Sequence, residues 1–293
     1  MKQRIMVTGA AGQLGYDVVN MLEAAGHDVL GCDRDQMDIT DQRQCLKQVE
    51  EYQPDIIIHC AAYTAVDQAE SDVDTAFTIN AAGTRNMTVA AEKVKAKLVY
   101  ISTDYVFDGT SATPYQEHDA TNPQSVYGKS KLAGELLVQS LSTRWFILRT
   151  SWVFGSHGRN FVSTMLELLE KRPELQVVHD QKGSPTYTVD LARLISELAL
   201  TEQYGIYHVS NAGSCTWFEF AQAIAEEANR QRVIETSARI LPCTTAQFPR
   251  PAPRPAYSVM DHQGIRINGL RPMRHWREAL IAYLKELKVE HSK

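Results

Sequence analysis

The chain has 293 residues, 44% of them hydrophobic, with 30 Lys and Arg against 35 Asp and Glu for a formal charge of −5, which suits one large or two modest domains with a real core. This balance supplies no global basic field for nucleic acid, and no apolar run approaches the roughly 18 residues of a membrane span, so nucleic-acid and membrane partners are set aside and a cytoplasmic setting is expected. The five cysteines, Cys32, Cys45, Cys60, Cys215 and Cys243, are odd in number, widely spaced and without a C-x-x-C, a pattern of buried thiols rather than of a disulfide framework or a zinc site.

"RIMVTG" is a short apolar run stopped by glycine, and "QLGYDVVNMLEAAG" has helical periodicity ending at Gly26. Between them, "TGAAGQLG" spaces Gly9, Gly12 and Gly15 as G-x-x-G-x-x-G. Glycines there let the backbone approach a pyrophosphate, and the helix N-terminal amides stabilise its charge. The spacing departs from G-x-G-x-x-G, so the dinucleotide fingerprint is met by its place after a strand and before a helix rather than letter by letter. "HDVLGCD" reads as a second strand. Asp33, 24 residues after Gly9, stands near the position where an acid holds the adenosine ribose of NAD, and Arg34 beside it offers a partner for the 2′-phosphate of NADP. Either NADPH or NADH therefore remains open as cofactor, and both charges also suit an ordinary solvated loop.

The alternation continues with a helix at "TDQRQCLKQVEEY", a strand at "PDIIIHCAAY", one helix over "TAFTINAAGTRNMTVAAEKV", a strand at "KLVYISTDYVF", a helix opening at "VYGKSKLAGE" and a strand at "RWFILRTSWVFG". Nearly continuous apolar strands separated by helices indicate a Rossmann-like, doubly wound parallel α/β sheet. Beyond residue 155 the pattern is a helix at "NFVSTMLELLEK", a strand at "ELQVVHD", a helix at "TVDLARLISELAL", a strand at "GIYHVSN" and a helix at "TWFEFAQAIAEEAN". "FPRPAPRPAY", with four prolines in ten residues, must be extended or turning, and "LKVEHSK" reads as a frayed tail. The expected division is 1–155 as a dinucleotide-binding domain, completed by parts of 186–213, and 156–293 as mainly a smaller C-terminal α/β substrate domain.

Ser102, Thr103 and Asp104 of "YISTDYVFDG" end a parallel strand, at the carboxyl edge where open α/β sheets bind ligands. Tyr127 and Lys131, four apart, share one face of the next helix. Tyr-x-x-x-Lys alone is common on exposed helices; its force comes from following a dinucleotide loop and a strand-end hydroxyl. Hydride arriving at a ketone carbon leaves charge on the oxygen, to which a tyrosine delivers a proton while Thr103 hydrogen-bonds it. A free phenol, with a pKa of about 10, exchanges poorly near neutrality, and a neighbouring lysine ammonium is expected to lower it while holding the nicotinamide ribose.

Glycine loop, strand-end Ser/Thr and Tyr-x-x-x-Lys resemble the extended short-chain dehydrogenase/reductase family. Within it, "HCAAYTAVDQAE", "INAAGTRN", "STDYVFDG", "RTSWVFG", "NFVSTML", "DQKGSPTYTVDLA", "YHVSNAGSCTWFEFA" and "RPAYSVMD" are similar to the dTDP-4-dehydrorhamnose reductases over essentially the whole chain. The resemblance implies NAD(P)H-dependent reduction of the C4 ketone of dTDP-4-dehydro-L-rhamnose to dTDP-L-rhamnose, with Thr103, Tyr127 and Lys131 catalytic. It implies a pyrophosphate loop of Gly9, Gly12, Gln13, Leu14 and Gly15, Asp33 and Arg34 at the ribose, Asp38 and Ile39 at the adenine, and Ala61, Ala62 and Tyr63 further along the cofactor. Val66, Asp67, Asp104, Phe107, Trp152 and Asn160 fall where the sugar nucleotide lies, and Arg254 partners its diphosphate. Phe107 and Trp152 also suit a core, and Arg254 a surface loop. A homodimer is implied; some relatives hold magnesium at the interface, but no acidic match carries a metal over. The alternatives are another nucleotide-sugar keto-reductase or epimerase, or a non-catalytic subunit like the methionine adenosyltransferase β subunit, against which the retained Thr103, Tyr127 and Lys131 count.

Overall fold

In the computed structural model, which describes residues 2–290, the first half of the chain alternates strand and helix. Its elements are β1 (Arg4–Thr8), α1 (Gln13–Ala24), β2 (Asp28–Cys32), α2 (Gln42–Tyr52), β3 (Ile56–His59), the short α3 (Val66–Ala69) and α4 (Val73–Phe77), α5 (Thr84–Val94), β4 (Lys97–Thr103), α6 (Val126–Leu141) and β5 (Trp145–Thr150). The second half is more broken: β6 (Val153–Phe154), α7 (Phe161–Lys171), β7 (Glu174–Val178), β8 (Lys182–Gly183), β9 (Thr186–Tyr187), α8 (Thr188–Ala199), β10 (Gly205–His208), β11 (Cys215–Thr216), α9 (Trp217–Gln231), β12 (Arg239–Cys243), α10 (Gln263–Ile267) and α11 (Trp276–Glu290).

Six strands form one parallel sheet in the order β10-β5-β4-β3-β1-β2. Strands β1 and β3 are apolar on both faces because both faces are covered. Val18 and Leu22 of α1 with Leu191, Leu194 and Ile195 of α8 pack on one face. Cys45 and Val49 of α2 with Met87 and Ala90 of α5 pack on the other. Burying each large aliphatic chain contributes about 1.5–3 kcal/mol, so packing on both faces holds the sheet centre firmly. The direction of strand order reverses between β1 and β3, and the crevice above their carboxyl ends is the topological switch point. A second core, around Phe154, Leu166, Phe220, Ile224 and Tyr283, joins α7, α9 and α11 beside the parallel pair β7 and β12.

The expected helix over 75–94 is interrupted by a π-helical turn at Thr78–Gly83. The turn brings Asn80 inward, where its amide holds the Tyr63 N–H and carbonyl and donates to the Ser130 hydroxyl. The strand expected to run through "RTSWVFG" breaks at Trp152, whose φ is +47°. β12 contains Pro242, which hides it from a strand pattern, but it pairs with β7 alone, an edge setting that tolerates proline. Leu287 to Glu290 of the expected tail form the last turn of α11; residues 291–293 lie outside the described residues. No helix among the described residues is long and apolar enough to cross a membrane.

Candidate active site

A cleft of about 880 Å³ opens over the carboxyl ends of the central strands. One end is the β1–α1 turn. Gly9 holds φ +65°, and a Cβ there would stand 2.8 Å from the Ala61 amide nitrogen, while one on Gly15 would overlap the Gly9 carbonyl oxygen. Only glycine lets this loop sit against the end of β3 and the helix start so close to it. α1 begins at Gly12 with no side-chain cap and no acid in its first turn, so its amides and positive end are not neutralised by the chain itself. Gln13 Nε2 is buried in the same wall without a hydrogen-bond partner. A glycine cradle, uncapped amides and an unpartnered donor fit a dinucleotide pyrophosphate.

The Ala11 N–H donates to both Asp33 carboxylate oxygens at 3.0 Å, joining the end of β2 to the loop. Arg34 is 86% exposed and meets Asp38 at 3.6 Å. The Thr40 hydroxyl and N–H hydrogen-bond the Asp38 carboxylate and hold it below the usual carboxylate range. Asn86 Nδ2 donates to the Ile39 carbonyl at 2.9 Å, fixing the wall beside them.

At the other end, Ser125 caps α6 by accepting from the Gly128 N–H, and the helix carries Tyr127 and Lys131 into the cleft one turn apart. Thr103 donates to Asp104 Oδ1 at 3.1 Å. Burial pushes the Tyr127 phenol well up, the Thr103 hydroxyl pulls it down, and the Asp104 and Tyr105 charges add to the rise. The expected lowering of this phenol by Lys131 is thus not met: burial dominates, and the group that pulls it down is Thr103. Burial also brings Lys131 down to about 7, against Glu135 and Cys60, and its ammonium lies 4.2 Å over the Tyr100 ring. Asp104 is raised to about 6 by burial, with the Ser258 and Thr103 hydroxyls opposing. Two of these three groups titrate near neutrality beside a phenol kept protonated, an arrangement suited to moving a proton.

Every catalytic and cofactor-side residue singled out from the sequence lines the cleft except Tyr63, and so do Val66, Asp104 and Trp152. Tyr63 points its phenol to Asp72 at 3.3 Å. Phe107 is 2% exposed and stacked on Tyr115, a core ring outside the cleft wall. Asn160 caps α7, accepting from the Ser163 N–H and donating to the Gly155 carbonyl. Asp67 pairs with Arg254 at 2.9 Å and Arg250 at 3.8 Å, latching the proline-rich segment to α3. Both lie off the cleft wall, although Arg254 stands 5.8 Å over the ring of Tyr105, which lines it. Trp152 stacks on Trp217 with centroids 3.5 Å apart, and its indole covers Gly183 so closely that a Cβ there would come within 2.6 Å. That packing holds a backbone strain of about 1–3 kcal/mol at Trp152.

Sequence reasoning missed Thr150, Ser151, Thr75 and Thr78 of the cleft wall. Thr150 and Ser151 follow the same strand-end rule that picked out Ser102 to Asp104. Thr75 and Thr78 flank the π turn, which leaves no periodic signal. Among the described residues no three His, Cys, Asp or Glu side chains gather as a metal site.

The chain matches the family described as RmlD substrate binding domain over residues 2–289. The spore coat polysaccharide biosynthesis protein SpsK of Bacillus subtilis (strain 168) is 47% identical over 97% of this chain and 97% of its own. A dTDP-4-dehydrorhamnose reductase of Aggregatibacter actinomycetemcomitans is 41% identical over 94% of this chain and 97% of its own. The crystal structure of dTDP-4-dehydrorhamnose reductase from Bacillus anthracis str. Ames in complex with NADP has a TM-score of 0.94 at 48% identity, covering 98% of this chain and 100% of that one. With family, relatives and fold agreeing over almost the full length, the chain belongs to the RmlD substrate binding domain family.

Proposed function

We propose that the protein reduces the C4 ketone of dTDP-4-dehydro-L-rhamnose to dTDP-L-rhamnose with NADPH or NADH. The observation that carries this reading is a single cleft with an uncapped glycine-loop helix at one end and Thr103, Tyr127 and Lys131 at the other. The family membership and the NADP complex of the Bacillus anthracis relative support it. A reduced nicotinamide, when bound, supplies the hydride. Tyr127 delivers the proton to the ketone oxygen, and its raised pKa keeps it in the protonated form a reduction needs. Thr103 hydrogen-bonds the same oxygen as charge develops. Lys131 holds ribose hydroxyls, and its charge eases the phenol's loss of a proton. Val66, Asp104 and Trp152 border the sugar, and Arg254, held over Tyr105 by Asp67, is offered to the diphosphate. Residues 1–155, with α8 and β10, form the cofactor half, and 156–293 supply most of the substrate half. All five cysteines are free thiols, in keeping with a cytoplasmic setting.

The test is to mix purified protein with dTDP-4-dehydro-L-rhamnose and NADPH, then NADH, following reduced-nicotinamide absorbance and product. Stoichiometric consumption matched by dTDP-L-rhamnose is expected. Tyr127→Phe should cut turnover by about 10²- to 10⁴-fold with little change in NADPH affinity. Near-normal turnover in that variant rejects its role as the acid, and no consumption by the wild type rejects the reaction.

A further inference from the structure

α6 presents three polar side chains at successive four-residue steps, Tyr127, Lys131 and Glu135. The first two line the cleft; the third does not. Glu135 is fully buried (0% exposed) and accepts from Arg149 Nε at 3.0 Å and Nη2 at 2.8 Å. It also accepts from the Ser102 hydroxyl. Ser102 immediately precedes Thr103 on β4, and Arg149 immediately precedes Thr150 on β5. One carboxylate therefore ties the helix carrying Tyr127 and Lys131 to the two strand ends that face them.

Burying an ion pair is a poor route to stability, since desolvation offsets most of the attraction and a well-packed apolar pair commonly does as well. The placement of this pair has another consequence. The titratable and charged groups around Lys131 are Glu135 and the protonated Tyr127 on its own helix, Arg149 on β5 paired with Glu135, His59 and Cys60 at the end of β3, and Tyr100 on β4. Burial holds His59 neutral, down to about 3, and Cys60 protonated, up to about 12. That leaves Glu135 as the counter-charge to Lys131 among them.

Resting on the reductase reading above, we propose that Glu135 is a positioning residue of this site. Its carboxylate sets Thr103 and Lys131 in register across the α6–β4 contact and favours the charged form of Lys131. An opposite charge nearby shifts a pKa by about 1–3 units. Removing it lowers the Lys131 value, so the alkaline limb of any Lys131-dependent property moves to lower pH.

The experiment compares wild type, Glu135→Gln/Arg149→Met and Glu135→Asp. The double variant removes both charges together, so no lone buried ion is left to unfold the protein. The readouts are the pH dependence of kcat/KM for the proposed reduction, the pH dependence of NADPH binding, and thermal unfolding. The expected result is a double variant that unfolds cooperatively near the wild-type temperature, with its alkaline limb lower by up to about one pH unit, the loss of the Arg149 cation offsetting part of the loss of the carboxylate. Glu135→Asp, which retains the charge, holds the limb near wild type. A limb unmoved in the folded double variant overturns the proposal. If the double variant does not fold, Glu135→Asp decides: a limb that falls although the charge is retained overturns it as well. If the wild type reduces no substrate, the reductase reading has failed separately, and NADPH binding still shows whether the limb depends on Glu135.

Discussion

Arg34 is held by little. Its side chain is 86% exposed, and its pairing with Asp38 at 3.6 Å is of a kind worth at most about 1 kcal/mol. Asp33, in contrast, has both oxygens on the Ala11 N–H and is committed to the loop. An arginine that loses almost nothing by leaving its partner, beside an acid that is already occupied, favours a 2′-phosphate over a bare ribose hydroxyl. A charge-assisted hydrogen bond contributes about 1.5–3 kcal/mol, so Arg34→Ala should raise Kd for NADPH about tenfold or more while barely changing NADH. Titrating both cofactors by fluorescence quenching checks this, and equal losses would remove Arg34 from the 2′-phosphate. At this scale the glycine loop was legible because backbone needs dictate residue type: a loop this tight admits only glycine at Gly9 and Gly15. Which residues away from that loop face the cleft was less so. Phe107 and Asn160 carry the same letters whether they touch a sugar, stack in a core or cap a helix, and packing with Tyr115 and Ser163 decides.

α6 shows how far an element is constrained by what it must reach. Gly128, next to Tyr127, lies on the Tyr105 carbonyl, and a Cβ there would overlap that oxygen and come within 3.1 Å of the Pro123 side chain. Alanine is ordinarily the better helix residue by about 1 kcal/mol. Here the backbone oxygen cannot step aside as a side-chain tip can, and overpacking of this kind costs about 1–3 kcal/mol, so the clash wins. Gly128→Ala should lower the unfolding temperature and also reduce turnover, because α6 must shift away from the turn that carries Thr103 and Asp104. Unchanged stability and turnover would show that this contact does not set the helix position. Elements with an unbroken period, such as β1, β3 and α1, were readable from sequence. The π turn at Thr78–Gly83, the break at Trp152 and β12 were not. Each is fixed by a partner distant in sequence: the Tyr63 backbone for Asn80, Trp217 for Trp152 and β7 for β12.

Across the whole molecule, burial has trapped histidines that the proposed chemistry does not use, and they make stability depend on acid. His59 lies between the Thr8 and Thr84 hydroxyls at 2.7 and 3.2 Å, and burial holds it down to about 3. His208, beside the Tyr115 carbonyl at 3.1 Å, is likewise held down to about 3 by burial, with the Arg149 and His262 charges adding. His262 is brought to about 4 by burial, but it is only partly buried and counts for less. In the unfolded chain each takes up a proton near pH 6.5. Below that value the unfolded state binds more protons than the folded one, so stability falls as pH falls, by about 1.4 kcal/mol per pH unit for each fully buried histidine. Asp104 acts in the opposite sense between about 3.8 and 6, because its folded form is the more readily protonated, but it is one group against at least two. Buried Lys131, held down to about 7, already makes stability fall as pH falls from about 10.5 to 7, so unfolding temperatures should decline gently above about pH 6.5 and more steeply below it, well before the ordinary carboxylates titrate. A midpoint that stays level from neutrality down to about pH 4.5 would mean that His59 in the sheet interior and His208 on its edge strand gain protons without unfolding the contacts they support.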